Sequence, residues 1–336
     1  MTTAVYVSSA GNGSIDVLHL DETSAALTPK QRIELGGTVM PLALSPDRRR
    51  LYAARRSEPL AVASFAIHAA SGELAALGEA PLPHSMANIA TDRSGRYLLS
   101  ASYGGHLVAV NTIDEGGVAR QTTQVLHTGP NAHAICTDPS NRFAFATNLG
   151  AGVVLQFCFD AASGRLTPND PPQLAVRAGA GPRHLAWHRD GKFVCLLNEL
   201  DASIDVLAFD AERGTLAHLH SVSSLPPGFT GKAWAADLHF TPDGRFLYSS
   251  DRGSNTLAAF AFDAADGRLT PIGHTPAPTE PRGFKVSPDG RFVLAAGQAS
   301  DCVAVFRIDP SRGTLALVGE HAVGQGPNWI EMIRLD

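Results

Sequence analysis

The chain has 336 residues, 44% of them hydrophobic and 18% charged, with a formal net charge of −5. That balance leaves no basic footprint for nucleic acid or an acidic membrane surface, and no apolar run is long enough to span a bilayer, so neither partner is expected. With 32 glycines and 22 prolines, the composition favours many short strands over long helices, and the length suits a repeat closed around an axis better than one ordinary core.

Residues 3–8, Thr-Ala-Val-Tyr-Val-Ser, already read as a strand, and no cationic segment with an apolar stretch precedes them. A cytoplasmic setting is expected. Cys136, Cys158, Cys195 and Cys302 lie singly inside apolar runs, without Cys-x-x-Cys or framework spacing. They are read as small buried hydrophobes carrying reduced thiols.

From Ser45 onward one turn recurs: Ser45-Pro46-Asp47-Arg48-Arg49, Asp92-Arg93-Ser94-Gly95-Arg96, Asp138-Pro139-Ser140-Asn141-Arg142, Arg189-Asp190-Gly191-Lys192, Pro242-Asp243-Gly244-Arg245 and Pro288-Asp289-Gly290-Arg291. The closing basic residues are 47, 46, 50, 53 and 46 residues apart. A second repeat joins two short strands through a glycine two residues before an apolar one, at Gly72, Gly116, Gly164, Gly214, Gly267 and Gly313, with a degraded first copy at Ser24–Leu27. This repeat occurs seven times, as does the strand leading into each Pro-Asp-Gly turn once Pro327-Asn328-Trp329-Ile330 is included. The last entering strand runs into the C-terminus where a turn would follow, and its missing partner is the strand at 3–8.

Units of about 46 residues with four short strands and tight turns match a propeller blade. The expectation is an all-β, seven-bladed β-propeller, a single domain over residues 1–336, its ring closed by pairing the N-terminal strand with the C-terminal ones. Pro226-Pro227-Gly228-Phe229 and the widest spacing, Lys192 to Arg245, predict a longer loop in the fifth blade.

In a four-stranded meander the connections alternate between the two ends. The blade entries and the loops between second and third strands therefore share one face, which brings Gly181-Pro182-Arg183-His184 beside Asn198-Glu199. Nine residues before each basic anchor stand Met40, Ala87, His133, Arg183, Ala236 and Arg282, with Asn328 placed by its Gly-Pro lead. A column that shifts from apolar residues to His and Arg, flanked by His184, Trp234, Asp237, His239 and Trp329, points to a polar cluster around the channel mouth. Taken singly, each has a plain structural use: ion pairing for the arginines, packing for His133, His184 and the tryptophans, solvation for Glu199. The joint placement carries the functional reading. No Gly-x-Ser-x-Gly, Walker or His-Glu-x-x-His motif occurs, and no acidic cluster has calcium spacing; neither a metal nor a cofactor is expected.

Several segments carry a resemblance that spans nearly the whole chain: Val39-Met40-Pro41 with Ser45-Pro46-Asp47; Gly179-Ala180-Gly181-Pro182-Arg183-His184; Asn198-Glu199-Leu200; Trp234-Ala235-Ala236-Asp237-Leu238-His239; Pro281-Arg282-Gly283-Phe284; Ala295-Ala296-Gly297-Gln298; and Val323-Gly324-Gln325-Gly326-Pro327. In these the sequence resembles the 6-phosphogluconolactonases of the seven-bladed propeller lactonase family. The resemblance implies metal-free hydrolysis of a sugar-acid δ-lactone, foremost 6-phospho-D-glucono-1,5-lactone in the oxidative pentose phosphate route. Muconate-lactonising relatives place the roles of a His, a Glu and arginines on His133, Glu199, Arg183 and Arg282. Ala233, with Lys232 before it, stands where relatives tend to carry an Arg ahead of the Trp.

The expected chemistry needs a base to take a proton from water and a cation where the oxyanion develops. Glu199 or His133 is the base, and Arg183 or Arg282 polarises the carbonyl. His184, Asn198, Trp234, Asp237, His239, Arg252, Gln298 and Trp329 are expected around the substrate, with Lys232, Arg252 and His184 as candidates for its phosphate or carboxylate. The partner is a small sugar lactone, and the chain is expected to be a monomer or weak homodimer. An unphosphorylated sugar lactone or a muconate-type reaction is the alternative. A non-catalytic binding propeller and a six-bladed calcium lactonase fit less well.

Overall fold

The computed structural model describes residues 2–335. The described residues form 28 strands in seven four-stranded antiparallel sheets, and no helix among them is long and apolar enough to cross a membrane. Six blades run inner to outer in chain order, their inner strands being Val39–Leu44 (blade II), Asn88–Thr91 (III), Ala132–Thr137 (IV), Pro182–Trp187 (V), Ala235–Phe240 (VI) and Pro281–Val286 (VII). Blade I is built from both termini: Pro327–Arg334 is its inner strand, followed outward by Thr2–Ser9, Ser14–Asp21 and Leu27–Glu34. The closing register pairs Thr3 with Arg334, Val5 with Met332 and Val7 with Ile330. The expected seven-bladed ring and its mode of closure are therefore observed.

The recurring turn works by a shared geometry. Its next-to-last residue lies in the left-handed region in all six copies, at Arg48, Gly95, Asn141, Gly191, Gly244 and Gly290, which explains the glycines and the asparagine. In blades III and IV a buried aspartate caps the turn: Asp92 accepts from the N–H groups of Arg96 and Tyr97, and Asp138 from those of Arg142 and Phe143.

Seven apolar clusters fill the seven interfaces between neighbouring blades. Between blades V and VI, for instance, Leu197, Ile204 and Val206 pack on Leu238, Leu247 and Phe260. Tyrosines add a repeated latch at these seams. The hydroxyls of Tyr6, Tyr52, Tyr97 and Tyr248 donate to the carbonyls of Gly72, Gly117, Ala162 and Gly313 on the next blade, at 2.8–3.0 Å. Each such bond contributes about 1 kcal/mol net and leaves no buried hydroxyl unpaired.

Two expectations need correction. Only Cys195 is fully buried, whereas Cys136, Cys158 and Cys302 are partly exposed, because Cys136 faces the channel and the other two lie near strand ends; all four are unpaired. The long segment at Pro226–Phe229 is not inside a blade but in the crossing from the outer strand Thr215–Ser223 to the inner strand of blade VI.

A cavity of 790 Å³ lies around the Pro-Asp-Gly turns between blades V and VI, lined by Arg189, Asp190, Asp243, Arg245, Asp263 and Arg268. Its arginines and aspartates balance, and it is remote from the polar entry face.

Candidate active site

The column predicted by counting falls on a structural irregularity. In six inner strands the pairing with the second strand slips where that strand begins: at Met40-Pro41, His133, Arg183, Ala236, Arg282 and Asn328. Each slip is a β-bulge, in which an extra residue lacks a cross-strand partner and its side chain is re-aimed. The repeated bulge is why His133, Arg183 and Arg282 converge on the axis. Thr147 secures two of these bulges at once, accepting from the Ala134 N–H (3.0 Å) and donating to the Arg183 carbonyl (2.7 Å).

A second column follows the second strands. Arg56, Leu149, Glu199, Arg252 and Gln298 each donate their backbone N–H to the carbonyl of the residue before an inner strand, namely Thr38, Asn131, Gly181, Trp234 and Glu280. This shared bond holds five blades in the same local shape, and Tyr103 occupies the corresponding place in blade III.

The two columns meet in one network. Glu199 Oε2 accepts from Arg183 Nε at 2.7 Å and lies 3.2 Å from Arg252 Nη2. Arg183 Nη1 lies 3.2 Å from His184 Nε2, and His184 Nδ1 lies 2.8 Å from Asp237 Oδ1. The Asp237 carboxylate also meets His239 Nε2 at 3.1 Å. Because Asp237 is an acceptor, His184 carries its proton on Nδ1 and offers Nε2 to Arg183. Arg252 stacks on Trp234, its guanidinium carbon 3.9 Å from the ring centre. The His133 ring touches those of His184 and Tyr103 edge-on, and its buried Nδ1 has no hydrogen-bond partner.

Charge is unbalanced here. The guanidiniums of Arg56, Arg183, Arg252 and Arg282 share one neighbourhood in which Glu199 is the carboxylate that ion-pairs with arginine, and Arg282 makes no ion pair among the described residues. Burial, then the like charges of Arg183, Arg252 and Arg56, hold Arg282 well below its ordinary pKa. An arginine does not lose its proton in a protein, so the shift reflects first the cost of burying its charge and then the repulsion of its neighbours, both of which an incoming anion would offset. Burial raises the Glu199 carboxyl, but Arg183 and Arg252 outweigh it and keep the group below the usual range and ionised. Burial and the charge of Arg183 hold His133 well below 6.5 and His184 at about 4, so both imidazoles are neutral near pH 7.

The structure thus brings together His133, Arg183, His184, Glu199, Arg252 and Arg282, with Trp234 on the rim and Gln298 in the second column. It does not bring Asn198 to the channel. That side chain is fully buried and turned into blade V, where Nδ2 donates to Ser203 and Asp205. Asp237 and His184 lie within the network but have their polar atoms engaged by protein partners, so they hold other groups in place. Lys232 is exposed on the rim, away from the buried arginines.

Below this tier, Trp329 lies against His184 and donates to Glu331 (3.2 Å), which pairs with Lys285 at 3.0 Å; His239 shares that lower level. Arg56 and Tyr103 were missed by sequence reasoning. Both stand seven residues after a turn's basic anchor, as do Glu199 and Arg252, and that count would have found them. No group of three or more His, Cys, Asp or Glu side chains among the described residues is placed to hold a metal ion.

Comparison with known proteins places this geometry. Residues 4–332 match the family model described as lactonase, 7-bladed beta-propeller. The chain is 38% identical to the 6-phosphogluconolactonase of Pectobacterium carotovorum over the full length of both. It is 40% identical to that of Yersinia pestis, covering 99% of this chain and 98% of the other. Among solved structures it is similar to the periplasmic gluconolactonase of Pseudomonas aeruginosa, with a TM-score of 0.93 and 29% identity over the whole of both chains.

Proposed function

Because the chain belongs to the seven-bladed β-propeller lactonase family, we propose that it hydrolyses a sugar-acid δ-lactone, with 6-phospho-D-glucono-1,5-lactone opened to 6-phosphogluconate as the leading substrate. The observation that carries this reading is the charge at the channel mouth: four guanidiniums cluster beside a neutral imidazole, and among the described residues Glu199 is the one carboxylate that ion-pairs with any of them. Such a site attracts an anionic substrate and stabilises negative charge as it develops.

His133 is the general base in the proposed reaction. Its Nδ1 is sealed from solvent without a partner, which leaves Nε2 as the nitrogen to meet a water, whereas both nitrogens of His184 are occupied. The water oxygen attacks the lactone carbonyl carbon while its proton passes to His133. Arg282, which has no carboxylate of its own, stabilises the oxyanion. Collapse breaks the bond to the ring oxygen, which takes the proton from His133 and becomes the hydroxyl of the open acid. Glu199 stays ionised and holds Arg183 and Arg252; its Oε1 orients the water. A bound anion also offsets the positive field that depresses His133, so substrate binding raises the basicity of the group that acts on it.

The proposed setting is a reducing cytoplasm, in keeping with four unpaired cysteines. The proposed state is a monomer or weak dimer, because the exposed apolar residues of the outer strands, Leu77, Val125, Leu219 and Leu317, are spread over four blades. An unphosphorylated gluconolactone is the second reading, favoured by the likeness to the Pseudomonas protein.

Rates on phosphorylated and unphosphorylated glucono-δ-lactone, corrected for spontaneous hydrolysis and repeated with a chelator, test the proposal. Turnover that survives chelation is expected, faster on the phosphorylated lactone. His133→Ala is expected to lose about 100-fold or more in kcat. On the unphosphorylated lactone, wild-type kcat/KM is expected to stay level as pH falls from 8 past 6.5, since His133 remains neutral there. A wild-type rate in His133→Ala would show the assignment of the base wrong, and a wild-type rate in Glu199→Gln the assignment of the water's orienting group.

A further inference from the structure

Arg56 is a partly buried cation that the hydrolytic steps above do not use. It follows the strand Arg50–Arg55 on blade II and occupies the position that holds Glu199 in blade V and Arg252 in blade VI, fixed by the same backbone bond, here to the Thr38 carbonyl at 2.7 Å. Counting around a ring of seven, blade II is three blades from blade V in one direction and three from blade VI in the other. Arg56 therefore faces the Glu199–Arg252 pair across the channel.

Its partners are weak for a guanidinium. Nε donates to Ser85 Oγ at 3.0 Å, and Nη1 points at the Met40 thioether sulfur, also at 3.0 Å. A hydroxyl and a thioether carry no charge, and sulfur is a poor acceptor. Among the described residues no carboxylate pairs with Arg56, although Arg55 beside it has Glu79. Burial and the like charge of Arg183 both disfavour this cation. A partly buried charge with no carboxylate partner is costly, and an anion bound beside it would offset that cost. Ser85 is itself braced: its carbonyl accepts from Ser102 Oγ at 2.7 Å, and that hydroxyl lies 3.0 Å from His84 Nδ1. The donor is thus held in place from the neighbouring blade.

We infer that Arg56, with Ser85 beside it, is the specificity-determining anchor for the substrate's phosphate, gripping the phosphorylated arm while the lactone carbonyl lies at the hydrolytic cluster. The inference rests on the lactonase reading, because it takes the carbonyl to lie at His133 and Arg282. In a δ-lactone phosphorylated on its exocyclic carbon, the carbonyl and the phosphorylated arm sit on the two carbons that flank the ring oxygen and point away from each other, so a carbonyl held by the cluster of blades IV to VII leaves the arm free to reach Arg56 on blade II. A phosphate dianion accepts charge-assisted hydrogen bonds from the fork of a guanidinium and from a hydroxyl.

The experiment compares wild type, Arg56→Ala and Arg56→Lys on phosphorylated and unphosphorylated glucono-δ-lactone, alongside calorimetric binding of 6-phosphogluconate and of gluconate. In Arg56→Ala the ratio of kcat/KM for the phosphorylated over the unphosphorylated lactone is expected to fall about 30-fold, mostly through KM, the size of one lost charge-assisted contact. Arg56→Lys is expected to keep part of the preference, and 6-phosphogluconate to lose affinity in Arg56→Ala while gluconate does not. An unchanged ratio, an equal loss on both lactones, or a wild type with no preference for the phosphorylated lactone overturns the inference. If the wild type turned over neither lactone, the lactonase reading would fail, and the two binding measurements would still decide Arg56.

Discussion

Glu199→Gln isolates what the arginine-paired carboxylate does for the site. The substitution keeps the side-chain shape and removes one negative charge. Glu199 Oε2 lies 2.7 Å from Arg183 Nε and 3.2 Å from Arg252 Nη2; both guanidinium side chains are 2% exposed and the carboxylate 15%. Losing the acid leaves two buried cations facing a neutral amide, a change that costs about 3–5 kcal/mol where one partner of a buried pair is removed. A chain of 336 residues unfolds with an entropy of about 0.7 kcal/mol/K, so Tm is expected to fall by about 4–7 °C. The dependence on pH follows from the direction of the shift. The folded carboxyl titrates below its ordinary value of 4.5, so its stabilisation is fully present above that pH and is lost as pH falls through the folded value. The Tm gap between wild type and variant should therefore be constant from pH 8 to about 5.5 and close in more acid solution. Calorimetry across that range is the assay, and added phosphate should raise the Tm of the variant more than that of the wild type. A drop below about 1 °C, or a gap indifferent to pH, would refute the view that Glu199 balances these arginines.

The fold was legible because its turns are stereochemically demanding. A left-handed residue before the basic anchor selects Gly or Asn in five of six copies, so the repeat marks itself in the sequence. The count of seven against six located the closure, since a ring needs a partner for every strand edge. The site was legible as a set of columns but not as a set of directions. Arg183 and Arg282 face the axis because a bulge turns them there, and a bulge leaves no mark on hydrophobic alternation. Asn198 and Glu199 are neighbours in the chain, yet one is sealed into blade V and the other ends on two arginines; where the strand stops decides between them. Arg56 went unnoticed because it lies in neither the entry column nor a recurring turn, and it follows another basic residue, Arg55. Only its register with Glu199 and Arg252 gives it away.

Three further outcomes follow from the same contacts. Asp237→Asn replaces an acceptor at His184 Nδ1 with an amide that can donate, which lets the imidazole place its proton on Nε2 against Arg183; kcat/KM is expected to fall about tenfold and equally on phosphorylated and unphosphorylated lactones, measured by initial rates. Thr147→Val keeps the volume but abandons the Ala134 N–H and the Arg183 carbonyl, costing about 2–4 kcal/mol and about 3–6 °C in Tm by calorimetry. A chain ending at Gly326 keeps six complete blades and loses the inner strand of blade I, together with Trp329. Ala4, Val5, Tyr6 and Val7, fully buried in the closed ring, then lie along an unpaired sheet edge. Such an edge pairs with other chains, so the truncated protein is expected to aggregate or to lose its cooperative melting transition, as read by sedimentation and circular dichroism. A soluble monomer melting near the wild-type temperature would mean that the six remaining blades hold the ring without it, and that closure by the two termini contributes little to stability.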